Sequence, residues 1–239
     1  MKLPSRNIKN IAGFILLGIT AIMITITGIL VDQSFFRILP LYISLFVSLL
    51  QSRANRFAPL IGSVNSLLYA AVYYHYRLYA SMAYAALFSF TIQLVTFIRW
   101  NRSPYKSSTI FKKLTTRQRM ATTAGFAVVW LAVILILSRT ASDYRVLDTT
   151  ISLVGILASL LAMLSYIEYV SLTAIGQVFS LILYISMLKT NPEQLTYLVY
   201  SVYSIICIIR AFICTRQIYD EQQKEKYMKS NTSKKILIK

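Results

Sequence analysis

Few groups in this chain could do acid–base, nucleophilic or metal chemistry, and their positions restrict them further. The carboxylates are Asp32, Asp143, Asp148, Glu168, Glu193, Asp220, Glu221 and Glu225, and the one histidine is His75. Each acid falls at the end of an apolar run, in a connection or in the C-terminal tail. Enzymatic group transfer needs a nucleophile beside a base, with a third group to orient them. No Ser-His-Asp set, HExxH motif or Walker loop is present, so the chain reads as a non-enzyme with no catalytic residue, no metal ligand and no cofactor. Cys207 and Cys214 stand seven apart on one helical face, where pairing within a helix is sterically poor, and they read as packing residues. His75, in "VYYHYRLY", reads as a hydrogen-bonded rim residue.

The elements that would carry these residues are set by hydropathy. The chain has 239 residues, 56% of them hydrophobic and 14% charged, and its mean hydropathy is +0.60. A soluble domain carries about 25% charged residues, so this composition marks an integral membrane protein. Eight apolar runs approach the length of about 20 residues that a helix needs to cross the hydrocarbon. They cover 10–31, 35–52, 57–76, 79–100, 122–138, 146–166, 170–188 and 195–214. The first is too long, and lacks the small-residue cleavage site, for a removed signal peptide.

The net charge of +17 is distributed by side. With an inward N-terminus, Lys2, Arg6, Lys9, Arg53, Arg56, Arg99, Arg102, Lys106, Lys112, Lys113, Arg117, Arg119 and the tail lysines lie inside, whereas Arg37, Arg77, Arg139, Arg145 and Lys189 lie outside. This asymmetry predicts a multi-pass protein of the cell membrane with both termini cytoplasmic. It does not interleave bases with aromatics on one surface, so nucleic acid is not an expected partner. The tail "KEKYMKSNTSKKILIK" reads as a solvated segment or one that touches anionic lipid.

A proton-driven carrier keeps an ionisable group within the bundle, and no acid falls mid-span here, which points to passage down a gradient. "IGSVNSLLY" (Ile61–Tyr69) and "SLTAIGQVFSLILY" (Ser171–Tyr184) share the pattern Ile-Gly-x-Val-x-Ser-Leu. Each lies in the middle helix of a group of three: spans two to four and spans six to eight. One connecting helix between them leaves both groups with the same orientation, a parallel repeat facing a central path. The expected organisation is therefore 1–34, N-terminal tail and extra helix; 35–100, first three-helix bundle; 101–145, basic loop and connector helix; 146–215, second bundle; 216–239, basic tail.

The stretch "NRFAPLIGSVNSLLYAAVYYHYRLYASMAYAALFSFTIQLVTFIRW" (Asn55–Trp100) resembles the first triplet of the Pnu-type vitamin transporters, the family of the nicotinamide riboside transporters. "LDTTISLVGILASLLAMLSYIEYVSLTAIGQVFSLILY" (Leu147–Tyr184) resembles the second. The likeness covers roughly residues 39–212, with loose motifs in the same order and spacing. It implies an all-α fold of eight transmembrane helices in a 3+1+3 arrangement similar to SWEET sugar transporters. It also implies homotrimers and facilitated diffusion of a vitamin precursor or nucleoside, which a cytoplasmic kinase then traps by phosphorylation.

The resemblance assigns Asn65, Gln93 and Trp100 to family positions that bind or close over substrate. Gln93, Phe97 and Trp100 share one helical face, and Asn65, Tyr69, Tyr73 and Tyr76 share another. A carboxamide offers a donor and an acceptor, which suits a neutral polar solute such as a ribose or nucleobase. The alternative is that the amides hold helices together and the tyrosines and Trp100 belt the membrane interface. In the second half, the family's Trp-x-x-Trp and following asparagine become Val170, Thr173 and Gln177. Those tryptophans would stack a cationic pyridinium, at about 0.5–2 kcal/mol per contact. Nicotinamide riboside or a related nucleoside remains the first expectation, and the loss of those tryptophans opens a deoxynucleoside, thiamine or a flavin as alternatives. In the last span the family's Asn-Gly has no match; Ile206 and Cys207 stand nearby, and Tyr200 and Ser204 could face inward. A membrane scaffold or regulator using "NRSPYKSSTIFKKLTTRQR" is the reading from another class.

Overall fold

A computed structural model describes residues 6–75, 82–137 and 144–237. In a membrane no water is available to satisfy backbone groups, so spanning segments close their hydrogen bonds internally. Among the described residues the apolar runs accordingly form eight α-helices: α1 (Arg6–Leu30), α2 (Phe35–Gln51), α3 (Ala58–His75), α4 (Phe90–Arg102), α5 (Thr116–Leu137), α6 (Arg145–Met163), α7 (Glu168–Met187) and α8 (Gln194–Leu237). A π-helical turn, Tyr84–Ser89, leads into α4. Tyr76 and the expected start of the fourth run at Tyr79 lie outside the described residues, as does Ser138.

Among the described residues, five helices are long and apolar enough to cross a membrane, and α2 is a shorter apolar helix. Two elements differ from expectation. The fifth helix begins at Thr116 rather than Thr122, because the polar turn "TRQRM" is helical before the apolar stretch starts. The last helix does not end near Cys214; it is 44 residues long, from Gln194 to Leu237, and carries the basic tail as helix.

The helices form a closed circuit. α2 touches α3, α3 touches α4, α4 touches α6, α6 touches α7, α7 touches α8, and α8 returns to α2. α1 lies outside against α2 and α8, and α5 lies outside, packed chiefly against α6. Three of the short connections pivot on a residue with positive φ: Asp32 (50°), Ala54 (48°) and Ser165 (61°). At the end of the bundle away from the basic loop, Arg37 pairs with Glu193. Beside it, the Gln33 amide donates to the Glu193 carbonyl at 2.9 Å and accepts from Thr196 at 2.8 Å, tying the α1–α2 connection to the start of α8.

The basic end is closed by residues 103–115. A two-residue antiparallel pair, Pro104–Tyr105 with Ser108–Thr109, forms a small hairpin not anticipated in an otherwise all-helical chain. Lys112 exchanges backbone hydrogen bonds with Ser165 and Ile167 in the α6–α7 connection. Glu168 accepts from Leu114 N (3.1 Å) and Arg119 (2.7 Å), and Arg56 N donates to Ser107 O (3.0 Å). The extension of α8 grips the same loop: Gln222 accepts from Phe111 N at 3.0 Å and donates to Thr109 O at 2.8 Å. Lys106 meets Glu221 at 2.6 Å, and that hydrogen bond holds its ammonium above the ordinary lysine range. Cys207 packs in a core cluster with Ile24, Ile38, Leu45 and Tyr203, and His75 meets the edge of Phe36 at 5.8 Å.

Candidate functional site

Inside the helix circuit lies a cavity of about 350 Å³. Gln93 and Thr96 of α4, Gly155 and Ser159 of α6, and Thr173, Gly176, Gln177 and Ser180 of α7 line it, with Ile208 and Ala211 of α8 closing one wall. Three of the expected site residues, Gln93, Thr173 and Gln177, are thus brought to one space. Thr173 donates its hydroxyl to the carbonyl of Tyr169 in its own helix at 2.8 Å, so the group it offers the cavity is mainly its methyl. Val170 is 2% exposed and packs with Ile208 and Ala211, which makes this part of the wall aliphatic.

The two repeated glycines explain how these helices approach. A Cβ on Gly62 would lie 1.9 Å from Gln93 Oε1, and one on Gly176 would lie 3.4 Å from Val154. Small residues allow close approach where lipid supplies no hydrophobic drive between helices. Gly62 admits the helix that follows it, α4, and Gly176 the helix that precedes it, α6. The serines of the repeat behave alike: Ser66 donates to Gly62 O and Ser180 to Gly176 O, both at 3.0 Å.

Gln93 Nε2 donates to Ser66 (2.9 Å) and Ser89 (3.1 Å), joining α3, α4 and the π turn. A second set of polar groups continues away from the cavity toward α2. Gln177 Nε2 donates to Ser204 Oγ at 2.8 Å; Tyr200 lies within reach of Ser204 and Ser44 and pairs with Ser48 at 3.3 Å. Asn65 Nδ2 donates to Ser44 Oγ at 2.8 Å, and Tyr69 meets Ser44 at 3.4 Å. The result is an uncharged seam through α7, α8, α2 and α3. Asn65 is 6% exposed, and no donor among the described residues reaches its Oδ1.

Phe97 and Trp100 stand apart from the cavity lining. Phe97 packs against Phe57 at 5.9 Å. Trp100 is buried and donates to Ala162 O at 2.8 Å, with Phe111 and Tyr169 edge-on at 5.6 and 6.0 Å. Since Ala162 and Tyr169 line the cavity, this aromatic cluster forms its floor at the basic end. The hydroxyl partners Ser44, Ser48, Ser66 and Ser89 were not among the expected residues. The available signal was the i, i+4 spacing of Ser44 and Ser48 on α2.

The fold has a solved counterpart: the vitamin B3 transporter PnuC superposes with a TM-score of 0.73 at 20% sequence identity, covering 91% of this chain and 94% of its own. No curated protein matches the chain by sequence. The profile of one family, described as nicotinamide mononucleotide transporter, matches residues 34–214, which takes in α2 to α7, the first half of α8 and both repeated segments. The chain belongs to the nicotinamide mononucleotide transporter family.

Proposed function

We propose that this chain carries a nicotinamide-bearing nucleoside or nucleotide across the cell membrane by facilitated diffusion between two parallel helix triplets, α2 with α3 and α4, and α6 with α7 and α8. The observation that carries the reading is the uncharged seam of amides and hydroxyls in which Gln177 bonds Ser204, Tyr200 bonds Ser48, and Asn65 bonds Ser44. It joins the two triplets at the place where a solute must pass between them, next to a cavity within the usual size range for a small ligand. Amides and hydroxyls can exchange hydrogen bonds with a ribose and a carboxamide without binding a proton or an ion. The basic end, with the 103–115 loop, faces the cytoplasm by the positive-inside rule, where a kinase phosphorylates and traps the product. A homotrimer is the assembly that the family resemblance supports.

A second substrate reading has its own observation. The wall at Val170 and Thr173 is aliphatic, so the stacking that would favour a pyridinium cation is missing, and a deoxynucleoside, thiamine or a flavin fits the same seam. Uptake of labelled nicotinamide riboside, nicotinamide mononucleotide, deoxynucleosides, thiamine and riboflavin into proteoliposomes separates these. Gln177→Ala removes one seam hydrogen bond and strands Ser204, a loss of about 1–2 kcal/mol, so uptake of the true substrate falls about tenfold. Unchanged uptake by this variant removes the seam from the mechanism. Neutralising several bases of the 103–115 loop leaves transport intact on this reading and abolishes activity if the chain is a scaffold.

A further inference from the structure

At the basic end of the bundle a separate cavity of about 290 Å³ opens between the end of α4, the 103–115 loop and the α6–α7 connection. Arg99, Arg102 and Lys112 line it, together with Ser103 and Ser165, and no carboxylate does. Arg99 and Arg102 stand three apart in the last turn of α4 and so share a face; Lys112 arrives from the loop. All three residues are exposed, and none makes an ion pair with a carboxylate among the described residues. Backbone hydrogen bonds hold the walls together: Ile110 N donates to Ser103 O at 3.1 Å, Lys112 N to Ser165 O at 2.8 Å, and Ile167 N to Lys112 O at 2.9 Å. The carbonyl oxygens of Ser103 and Ser165, which would repel an anion, are thereby already accepting hydrogen bonds, and Ser103 O accepts a further one from the Thr109 hydroxyl at 3.0 Å.

Three cations around one opening, with no acid beside them, focus a positive potential into it. Two guanidinium forks and an ammonium approaching from different elements suit a tetrahedral group, whose oxygens point in several directions, better than a planar carboxylate, which fills one fork. The rim adds a second preference. Ile110 and Leu164, which line the cavity, are 50% and 40% exposed, and Ile98, next to Arg99, is 41% exposed. A basic pocket edged by exposed aliphatic side chains at one end of the spans is the setting in which membranes present headgroup phosphates. We propose that Arg99, Arg102 and Lys112 bind a phosphate group at the basic end of the bundle, carried by an anionic phospholipid or by a soluble phosphate compound. This cavity shares no lining residue with the one inside the helix circuit, so the site is independent of the transported solute.

The test uses the full chain in phosphatidylcholine nanodiscs, alone, with phosphatidylglycerol, or with inorganic pyrophosphate added. Hydrogen exchange follows the amides of Ile110, Lys112 and Ile167, which span the three walls, and native mass spectrometry counts retained phosphatidylglycerol. In wild type the bound phosphate slows exchange at these amides. Lys112→Gln and Arg102→Gln each weaken binding roughly fivefold. Lys113→Gln removes the same charge one residue away, from a side chain that lines other cavities, and leaves binding unchanged. Lys112 serves the fold through its backbone, so Lys112→Gln unfolds at the wild-type temperature in phosphatidylcholine alone, and it decides the question should Arg102→Gln fail to fold. Protection by phosphatidylglycerol assigns the site to a lipid headgroup, and protection by pyrophosphate in its absence assigns it to a soluble ligand; either sustains the proposal. Three results overturn it: no protection of wild type by either probe, undiminished binding by Lys112→Gln, or an equal loss in Lys113→Gln, which would make the effect one of overall charge.

Discussion

Asn65 donates to Ser44 but leaves its own buried carbonyl oxygen without a partner among the described residues. An unmet buried acceptor costs about 1–3 kcal/mol, a price that a substrate hydroxyl or amide donor would remove. Asn65→Ala is therefore expected to unfold at the same temperature as wild type or slightly higher, while uptake drops about tenfold; thermal unfolding and proteoliposome flux measured on one preparation check both. Gly62 makes the opposite case. A methyl there overlaps Gln93 Oε1, so Gly62→Ala must push Gln93 off Ser66 and Ser89. Overpacking of this kind costs about 1–3 kcal/mol, and both stability and transport fall. A variant with normal flux would mean that Gln93 is free to leave its serines without consequence.

At the scale of the element, hydropathy locates lipid but not helix ends. α2, α3 and α7 lie within two residues of the expected runs, since there the helix and the hydrocarbon end together. α5 and α8 overshoot because a helix needs no apolar residues once it has been nucleated inside the membrane. The pattern Ile-Gly-x-Val-x-Ser-Leu falls within α3 and α7, and Gln93, Thr173 and Gln177, singled out in the sequence, line the cavity. The serines were hidden because a lone hydroxyl in an apolar helix commonly bonds its own backbone; only the partner helix reveals that Ser44 and Ser48 serve α3 and α8. Phe97 and Trp100 share a face with Gln93 in sequence, yet the tight packing of α4 on α3 and α6 turns only Gln93 to the cavity. Phe111 could not be found either, because it comes from a loop that reads simply as basic. It is 3% exposed beneath Trp100 and Tyr169, so Phe111→Ala should cost about 3–5 kcal/mol. The loosened floor is read as faster hydrogen exchange in 103–115 and in the α8 extension that Gln222 joins to it.

For the molecule as a whole, the charges are segregated to its two ends. Arg37 and Glu193 pair at one, and Arg119, Glu168, Lys106 and Glu221 pair at the other, while the seam and cavity between them carry amides and hydroxyls. Exposed pairs of this kind contribute little each, about 0–1 kcal/mol. The circuit of helix contacts and the packing at Gly62 and Gly176 hold the bundle. Among the described residues the seam and cavity carry no charged side chain, so under the proposed function an electric field acts on the solute that travels through them. A singly charged cation gains about 2.3 kcal/mol per 100 mV, and a neutral nucleoside gains nothing. Imposing a potassium-diffusion potential on proteoliposomes should then drive accumulation of nicotinamide riboside and leave the plateau of a deoxynucleoside flat. If a neutral solute also accumulates with voltage, an unseen ion accompanies it.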